Sequence, residues 1–200
     1  MRKILESIVV GILFGLLTHI AGKNLPEDWQ FLVETKIIWL LPAFLMAFNL
    51  PIRRWAKDSV IVATITLLVT GATYYTSEVV KGNGDWYFID NFGYFIIPAI
   101  IAGIITGYIA YLGRSATRDF IRYASVSLLP ALYTGQGIEG AIETINNFSF
   151  TPEIITKILG GFIFYLVISG NNKFKPKSAV SYLVLTALIT LGVKFFPNMI

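Results

Sequence analysis

A polar, glycine-rich segment follows Pro130 inside a long apolar region, and it holds the side chains best suited to chemistry. Gln136, Glu139 and Glu143 recur at i, i+3 and i+7, which places them on one face of a helix. The proline and the nearby glycines weaken helical structure, so we expect the helix to be kinked or broken, or to end near Gly135. An ionisable residue at membrane depth indicates a functional site, because its burial is costly. Glu139 is therefore predicted to be the central charge of a ligand- or ion-binding site, with Gln136 and Glu143 beside it.

A second set of polar residues comes from two other apolar regions. Tyr74, Tyr75 and Glu78 stand at the end of a stripe of hydroxyl side chains at helical spacing, which consists of Thr66, Thr70, Thr73 and Ser77. Such a stripe either lines a wet cavity or forms hydrogen bonds to the backbone of its own helix. His19 is the only histidine, and it is expected to be interfacial, hydrogen-bonded, or linked to proton transfer beside Glu139 or Glu78. We predict that these two tyrosines, His19 and Glu78 surround Glu139.

Several kinds of site are excluded or disfavoured by composition. The chain has no cysteine, which excludes disulfides, thiolate metal sites and thiol catalysis. One histidine and scattered carboxylates do not form a metal site, so no metal and no cofactor is expected. The net charge of +4 is too small to indicate a nucleic-acid partner.

One short string is similar to an enzyme motif. The sequence from Gly82 to Asp85 resembles the Gly-x-Gly-Asp motif of intramembrane aspartyl proteases, in which two aspartates share a proton. The nearby candidate for the second aspartate is Asp90, and Asn-Gly is also typical of an ordinary turn. An enzyme is therefore less favoured than a protein without catalytic activity, and an intramembrane enzyme acting on lipid or peptide is kept as an alternative.

The elements that would position these residues are membrane helices. The chain is 55% hydrophobic and 14% charged, with a mean hydropathy of +0.67, which is typical of an integral membrane protein. We predict a single all-α membrane domain over residues 1–200, a polytopic helix bundle with six to seven spans and most consistent with seven. The predicted spans are 4–21, 37–50, 59–80, 92–112, 123–145, 154–169 and 179–196, and the second is short unless it begins within 31–33.

The loops between these spans are short enough for their basic residues to predict orientation. One set of helix ends carries most of the 16 Lys and Arg residues: Arg2, Lys3, Arg53, Arg54, Lys57, Arg114, Arg118, Arg122, Lys173, Lys175 and Lys177. This asymmetry predicts a cytoplasmic N-terminus and an external C-terminus in a bacterial cytoplasmic membrane. The acidic residues gather at the opposite ends, where they would concentrate cations at the mouth of an outer cavity.

Small residues recur at four-residue spacing in two of the spans. Gly11 and Gly15 lie in the first span, and Gly103 and Gly107 in the fourth. Glycines at this spacing let helix backbones approach closely in lipid, so we predict packing seams. The seams would mostly be used within the chain, and a partner membrane subunit or a second copy of the chain is the alternative occupant.

Several short motifs resemble a family of small bacterial multi-pass membrane proteins of unknown function. The likeness covers the chain up to Gly140, and it rests on a set of motifs spread along that length: Leu25-Pro26-Glu27-Asp28-Trp29, Trp39, Ala43-Phe44, Arg53-Arg54-Trp55-Ala56, Gly71, Tyr74-Tyr75, Gly103, Gly107 and Gly137-Ile138-Glu139-Gly140. The resemblance implies a bacterial inner-membrane protein, and it implies no catalytic residues.

The functional prediction that follows is a small-solute or ion permease, a channel, or a substrate-binding membrane subunit. Its site would be an outward-facing acidic cavity between the first, third and fifth spans, suited to a cation or a proton-coupled ligand. The alternatives are an accessory or assembly protein that docks a partner through the glycine seams, and the intramembrane enzyme described above.

Overall fold

The computed structural model describes residues 2–26, 29, 36–51, 54–80, 85–144, 151–169 and 176–195. The regular structure in these ranges is entirely helical, which confirms the prediction of an all-α protein. A 3-10 turn, Lys36–Trp39, precedes the second of seven α-helices. The helices are α1 (Arg2–Asn24), α2 (Leu40–Phe48), α3 (Ala56–Glu78), α4 (Asp85–Ser115), α5 (Asp119–Thr144), α6 (Pro152–Ser169) and α7 (Pro176–Phe195).

Each predicted span coincides with one of these helices, but the helices differ in their capacity to cross a membrane. Within the described ranges, four are long and apolar enough to do so: α1, α3, α4 and α6. Helix α2 has nine residues and is about 14 Å long, less than half of a hydrocarbon core about 30 Å thick. The segment 31–33, which would extend it, lies outside the described residues. Helix α5 is long but polar, and the apolar part of α7 is short.

The expected interruption of α5 is wrong. The helix runs without a break from Asp119 to Thr144 and includes Pro130 and the glycines that follow it. Pro130 is fully buried, and its carbonyl oxygen lies 2.8 Å from the Cβ position of Gly161 in α6. The glycines are contact points with neighbouring helices, and these contacts offset the low intrinsic helix propensity of the segment.

The chain divides into two compact units, Met1–Arg114 and Ser115–Ile200. In the first unit, α3 is the central helix, and α1, α2 and α4 pack against it. Its core is aromatic and includes Trp39, Phe44, Tyr75 and Phe95. The single-domain prediction is neither confirmed nor contradicted by this division into units.

The second unit is organised around α5, which packs against both α6 and α7. Its buried core consists of Ala131, Tyr165 and Tyr182, with Leu185 and Ile189 packed against them. The rings of Tyr165 and Tyr182 stack with their centroids 4.5 Å apart and their planes 14° from parallel.

Candidate functional site

The first unit holds a buried acid–base pair between two apolar helices. His19 of α1 and Glu78 of α3 form a hydrogen bond of 2.7 Å between Nδ1 and Oε1. Their side chains are only 9% and 12% exposed. Ionisable side chains with so little access to solvent, in two helices apolar enough to cross a membrane, make this pair the candidate functional site of the first unit.

The pair forms because two glycines bring α1 close to α3. A Cβ added to Gly15 would lie 2.6 Å from the carbonyl oxygen of Thr70, and one added to Gly11 would lie 3.0 Å from that of Thr66. These distances leave no room for a larger residue on that face of α1. His19 follows Gly15 by one helical turn on the same face, which brings its ring to Glu78.

The hydrogen bond also fixes the chemistry available to the ring. With Glu78 ionised, its carboxylate accepts a hydrogen bond from Nδ1–H of His19, whether the imidazole is neutral or charged. The second ring nitrogen, Nε2, is then the polar atom of the ring that faces away from this hydrogen bond.

An aromatic cluster encloses the pair on one side. The ring of Tyr74 meets His19 edge-on, with centroids 6.4 Å apart, and Trp39 packs on Tyr74 at 5.4 Å. Trp39 is 1% exposed and also contacts Tyr75 and Phe95. Sequence reasoning missed this role, because Trp39 stands near a span end, where tryptophan usually anchors at the membrane surface.

The hydroxyl stripe of α3 divides into two functional parts. Thr66 and Thr70 are fully buried and donate hydrogen bonds of 2.8 Å to carbonyl oxygens one turn earlier, so they belong to the packing seam. Thr73, Thr76 and Ser77 are partly exposed and line an open groove. Ser77 also donates a hydrogen bond of 2.8 Å to the carbonyl oxygen of Thr73, so bonding to the backbone occurs in both parts of the stripe, and a wet cavity wall stays a prediction.

The groove runs between α1 and α3 beside the acid–base pair and has a volume of about 650 Å³. Helix α1 contributes Ile12 and Leu16 at one end, and His19 and Lys23 at the other. Its volume falls within the range of pockets that hold small molecules.

The remaining predicted site residues lie in the second unit, on α5. Gln136 and Glu139 are half-buried and Glu143 is exposed. Helix α6 approaches this part of α5 at Gly137, whose Cβ position lies 2.9 Å from Cβ of Lys157. Lys157 pairs with Glu153 one turn earlier, at 2.5 Å. The predicted set is thus divided between the two units, and a cavity shared by both parts stays a prediction.

The other predicted packing glycines also lie against α3. A Cβ on Gly107 of α4 would lie 2.5 Å from Cα of Val60 and 2.7 Å from the carbonyl oxygen of Ser59. The Cβ position of Gly103 lies 2.6 Å from Cα of Thr64. Helix α3 is therefore approached closely from two sides, by α1 and by α4.

Arg114, which the sequence suggested only as one of the basic end charges, ties α2 to the rest of the first unit. Its guanidinium donates hydrogen bonds to the carbonyl oxygens of Ala47 and Leu50, at 2.9 and 3.0 Å, and to Oγ of Ser59 at 3.1 Å. Ala47 lies in the last turn of α2, where helix carbonyls have no partner within the helix, and Leu50 follows the end of the helix by two residues. A basic residue at a predicted span end gives no sign of such a role.

The described residues contain no group of three or more His, Cys, Asp or Glu side chains that could hold a metal ion. The site that the geometry does define is an acid–base pair, an aromatic wall and an open groove.

The fold and site define an all-helical protein with apolar helices long enough to cross a membrane and a polar pair buried between two of them. The chain belongs to a family of unknown function, DUF6518, whose model matches residues 1–198. This confirms the expected membership of an uncharacterised family and extends the likeness beyond Gly140. No curated protein and no solved structure is detectably similar to the chain.

Proposed function

We propose that this is a multi-pass inner-membrane protein that binds and moves a small solute or ion, with His19 and Glu78 as its proton-linked centre. One observation carries the proposal: an acid and a base, both nearly inaccessible to solvent, are hydrogen-bonded between two apolar helices. Packing in lipid does not require such a pair, because two apolar side chains would pack there at a lower desolvation free energy.

The membrane setting is supported by the helices and by the charges. Each of the seven helices coincides with a predicted span, and the basic residues gather at one set of ends. The proposed topology has the N-terminus in the cytoplasm and the C-terminus outside. His19 and Glu78 then lie toward the external side of the membrane, near the acidic ends.

A proton-linked mechanism follows from the position of the pair beside the groove. Gain or loss of one proton changes the charge of the groove wall, because His19 lines the groove and Glu78 contacts His19. A solute that prefers one of the two charge states shifts the proton equilibrium when it binds, and the proton shifts solute binding by the same factor. Movement of the solute that is coupled to the proton requires this reciprocity.

Glu139 is proposed as a second acidic group of the same function. It keeps this role because a half-buried carboxylate on a long helix would attract a cation or hold a proton. The docking alternative has less support, because Gly11, Gly15, Gly103 and Gly107 lie against α3 within the first unit. A partner would have to use other faces. Of the motif Gly82–Asp85, which motivated the enzyme alternative, residues 82–84 lie outside the described residues, whereas Asp85 begins α4 and Asp90 lies in the same helix.

The first test uses the single histidine as a spectroscopic probe. Isotopic labelling of histidine reports His19 alone, and we expect the nitrogen chemical shifts to show a protonated, hydrogen-bonded Nδ1. Glu78→Gln should change these shifts, whereas Glu143→Gln should leave them as in the wild type. Identical His19 signals in the wild type and Glu78→Gln would contradict the buried pair.

The second test addresses transport itself. Proteoliposomes containing a trapped pH-sensitive dye are exposed to a panel of small cations and proton-coupled solutes. We expect a solute-dependent pH change with the wild type, its loss in Glu78→Gln, and its retention in Glu143→Gln. An equal pH change with Glu78→Gln would remove the pair from the mechanism.

A further inference from the structure

The groove beside the acid–base pair has two chemically different ends. At one end, Ile12 and Leu16 present aliphatic side chains that are each 40% exposed. At the other end, His19, Lys23 and Thr76 present polar side chains. The polar residues of α1 lie one and two turns beyond the aliphatic ones along the same face.

The ionisable side chains that line the polar end are both basic. Lys23 is exposed and belongs to the last turn of α1, and His19 already contacts the carboxylate of Glu78. Because the carboxylate of Glu78 offsets any positive charge on the ring of His19, the positive charge at this end of the groove is that of Lys23. The hydroxyls of Thr73 and Thr76 stand on the opposite wall.

We propose that the groove binds a lipid anion, with its phosphate headgroup beside Lys23 and its acyl chain along Ile12 and Leu16. This goes beyond the proposed function, which concerns a small solute or ion, and rests on that proposal for the membrane setting. Lysine is a common phosphate ligand, and hydroxyl groups add neutral donors. The aliphatic end takes the chain out of contact with polar groups, at about the depth where the bilayer interior would begin.

Charge separates this ligand class from a cation, which the acidic outer loops alone would favour. A cation in the groove would meet the ammonium group of Lys23, and no carboxylate is among the described residues that line the groove. A free inorganic anion would use the basic end and leave the aliphatic end unused. An amphiphile with one negative headgroup matches both ends.

The proposal is tested with the full chain in a nonionic detergent by native mass spectrometry. The probe is lysophosphatidylglycerol, which has one acyl chain and a net negative phosphate head. Lysophosphatidylcholine, with the same chain and phosphate but no net charge, and glycerol phosphate, with the head and no chain, are the comparison ligands. We expect lysophosphatidylglycerol to bind with clear preference over both.

Two variants locate the binding. Lys23→Gln should weaken lysophosphatidylglycerol about fivefold, as expected for one partly solvated charge contact. Ala72→Phe should weaken it by filling the groove wall, and Lys57→Gln, another exposed lysine at the far end of α3, should have no effect. Equal binding of the uncharged lipid, equal binding of glycerol phosphate, or unchanged binding by Lys23→Gln would each overturn the proposal.

The same samples separate this inference from the proposed function. If the labelled His19 signal depends on Glu78 but the lipid anion does not bind, the ligand class is wrong and the proton-linked pair stands. If the lipid anion binds through Lys23 but the His19 signal is unaffected by Glu78→Gln, the ligand class stands and the proton-linked function fails.

Discussion

The two compact units place the glycines of their close helix contacts differently. In the first unit the glycines of the packing seams belong to the flanking helices α1 and α4, although Gly71 of the central helix α3 packs against Phe95. In the second unit the central helix α5 and the flanking helix α6 both carry them: Gly135 lies against α7, Gly137 against α6, and Gly161 of α6 against α5. Close approach therefore needs glycine on at least one side of each interface, and in the first unit this leaves α3 free to carry hydroxyl side chains.

The polar interiors of the units differ in charge. The second unit has a network of neutral hydroxyls, with Thr134 bonded to Tyr182 at 2.7 Å and Tyr165 bonded to Ser178 at 2.8 Å. Neutral hydrogen bonds between helices hold them in one arrangement at low cost. The buried charge-bearing pair of the first unit adds a desolvation cost that packing does not require. This contrast assigns a structural role to the hydroxyl network and a functional one to the pair.

The largest expected effect tests the close approach in the first unit. Gly107→Ala places a methyl group 2.5 Å from a backbone carbon of α3, so the helices must separate. We expect it to lower the free energy of unfolding in detergent by about 3 kcal/mol. Gly93→Ala, in the same helix but with no atom within 4 Å of the new methyl group, is the matched control. It should stabilise the protein by up to about 1 kcal/mol through helix propensity.

The second unit offers the same comparison. Gly161 of α6 packs against Pro130 and Thr134 of α5, whereas the Cβ position of Gly192 in α7 meets no atom within 4 Å. Gly161→Ala should be destabilising and Gly192→Ala should not. Equal stability of the Gly107→Ala and Gly93→Ala variants, or of the second pair, would show that the corresponding seam is not a rigid contact.

The next largest loss of stability is expected on replacing Arg114, whose hydrogen bonds hold α2 in place. Arg114→Ala removes hydrogen bonds to two carbonyl oxygens at the end of α2 and leaves them without these donors. We expect a loss of about 2 kcal/mol in the free energy of unfolding, as for hydrogen bonds that involve a charged group. Arg2→Ala is the control, because the Arg2 side chain is 91% exposed, and it should not change stability measurably. Retention of full stability by Arg114→Ala would mean that α2 is held by its apolar contacts alone.

The helices were largely predictable from sequence, whereas the contacts between them were not. Run length and hydropathy gave all seven helix positions, because those depend on local composition. The continuity of α5 was missed, since the effect of its glycines depends on Ile158 and Ile189 in other helices. His19 and Glu78 are 59 residues apart, and sequence spacing offered both Glu78 and Glu139 as partners. Which of the two glutamates pairs with His19 depends on the close packing of α1 on α3 at Gly15.

A smaller effect is expected in the hydroxyl network of the second unit. Tyr182→Phe keeps the ring stacked on Tyr165 and removes only the hydrogen bond to Thr134. We expect a loss of about 0.6 kcal/mol, the average for such bonds between membrane helices. A double-mutant cycle with Thr134→Val measures the pair itself. A coupling free energy of zero would mean that the two hydroxyls do not support each other, and the structural role of the network would then rest on Tyr165 and Ser178.

The smallest expected effect on stability concerns Glu139. Glu139→Gln keeps the shape of the side chain and removes its charge, at a half-buried position near the ion pair of Lys157 and Glu153. The variant should therefore fold like the wild type, and so should Glu143→Gln at its exposed position on the next turn. In proteoliposomes we expect Glu139→Gln to reduce the solute-dependent pH change, Glu143→Gln to have little effect, and Glu78→Gln to abolish it. This order follows from solvent access, since a carboxylate in a nearly dry contact has no water to replace its partner. If Glu139→Gln matches the wild type across pH while Glu78→Gln is inactive, the second unit provides packing only and the functional site belongs to the first.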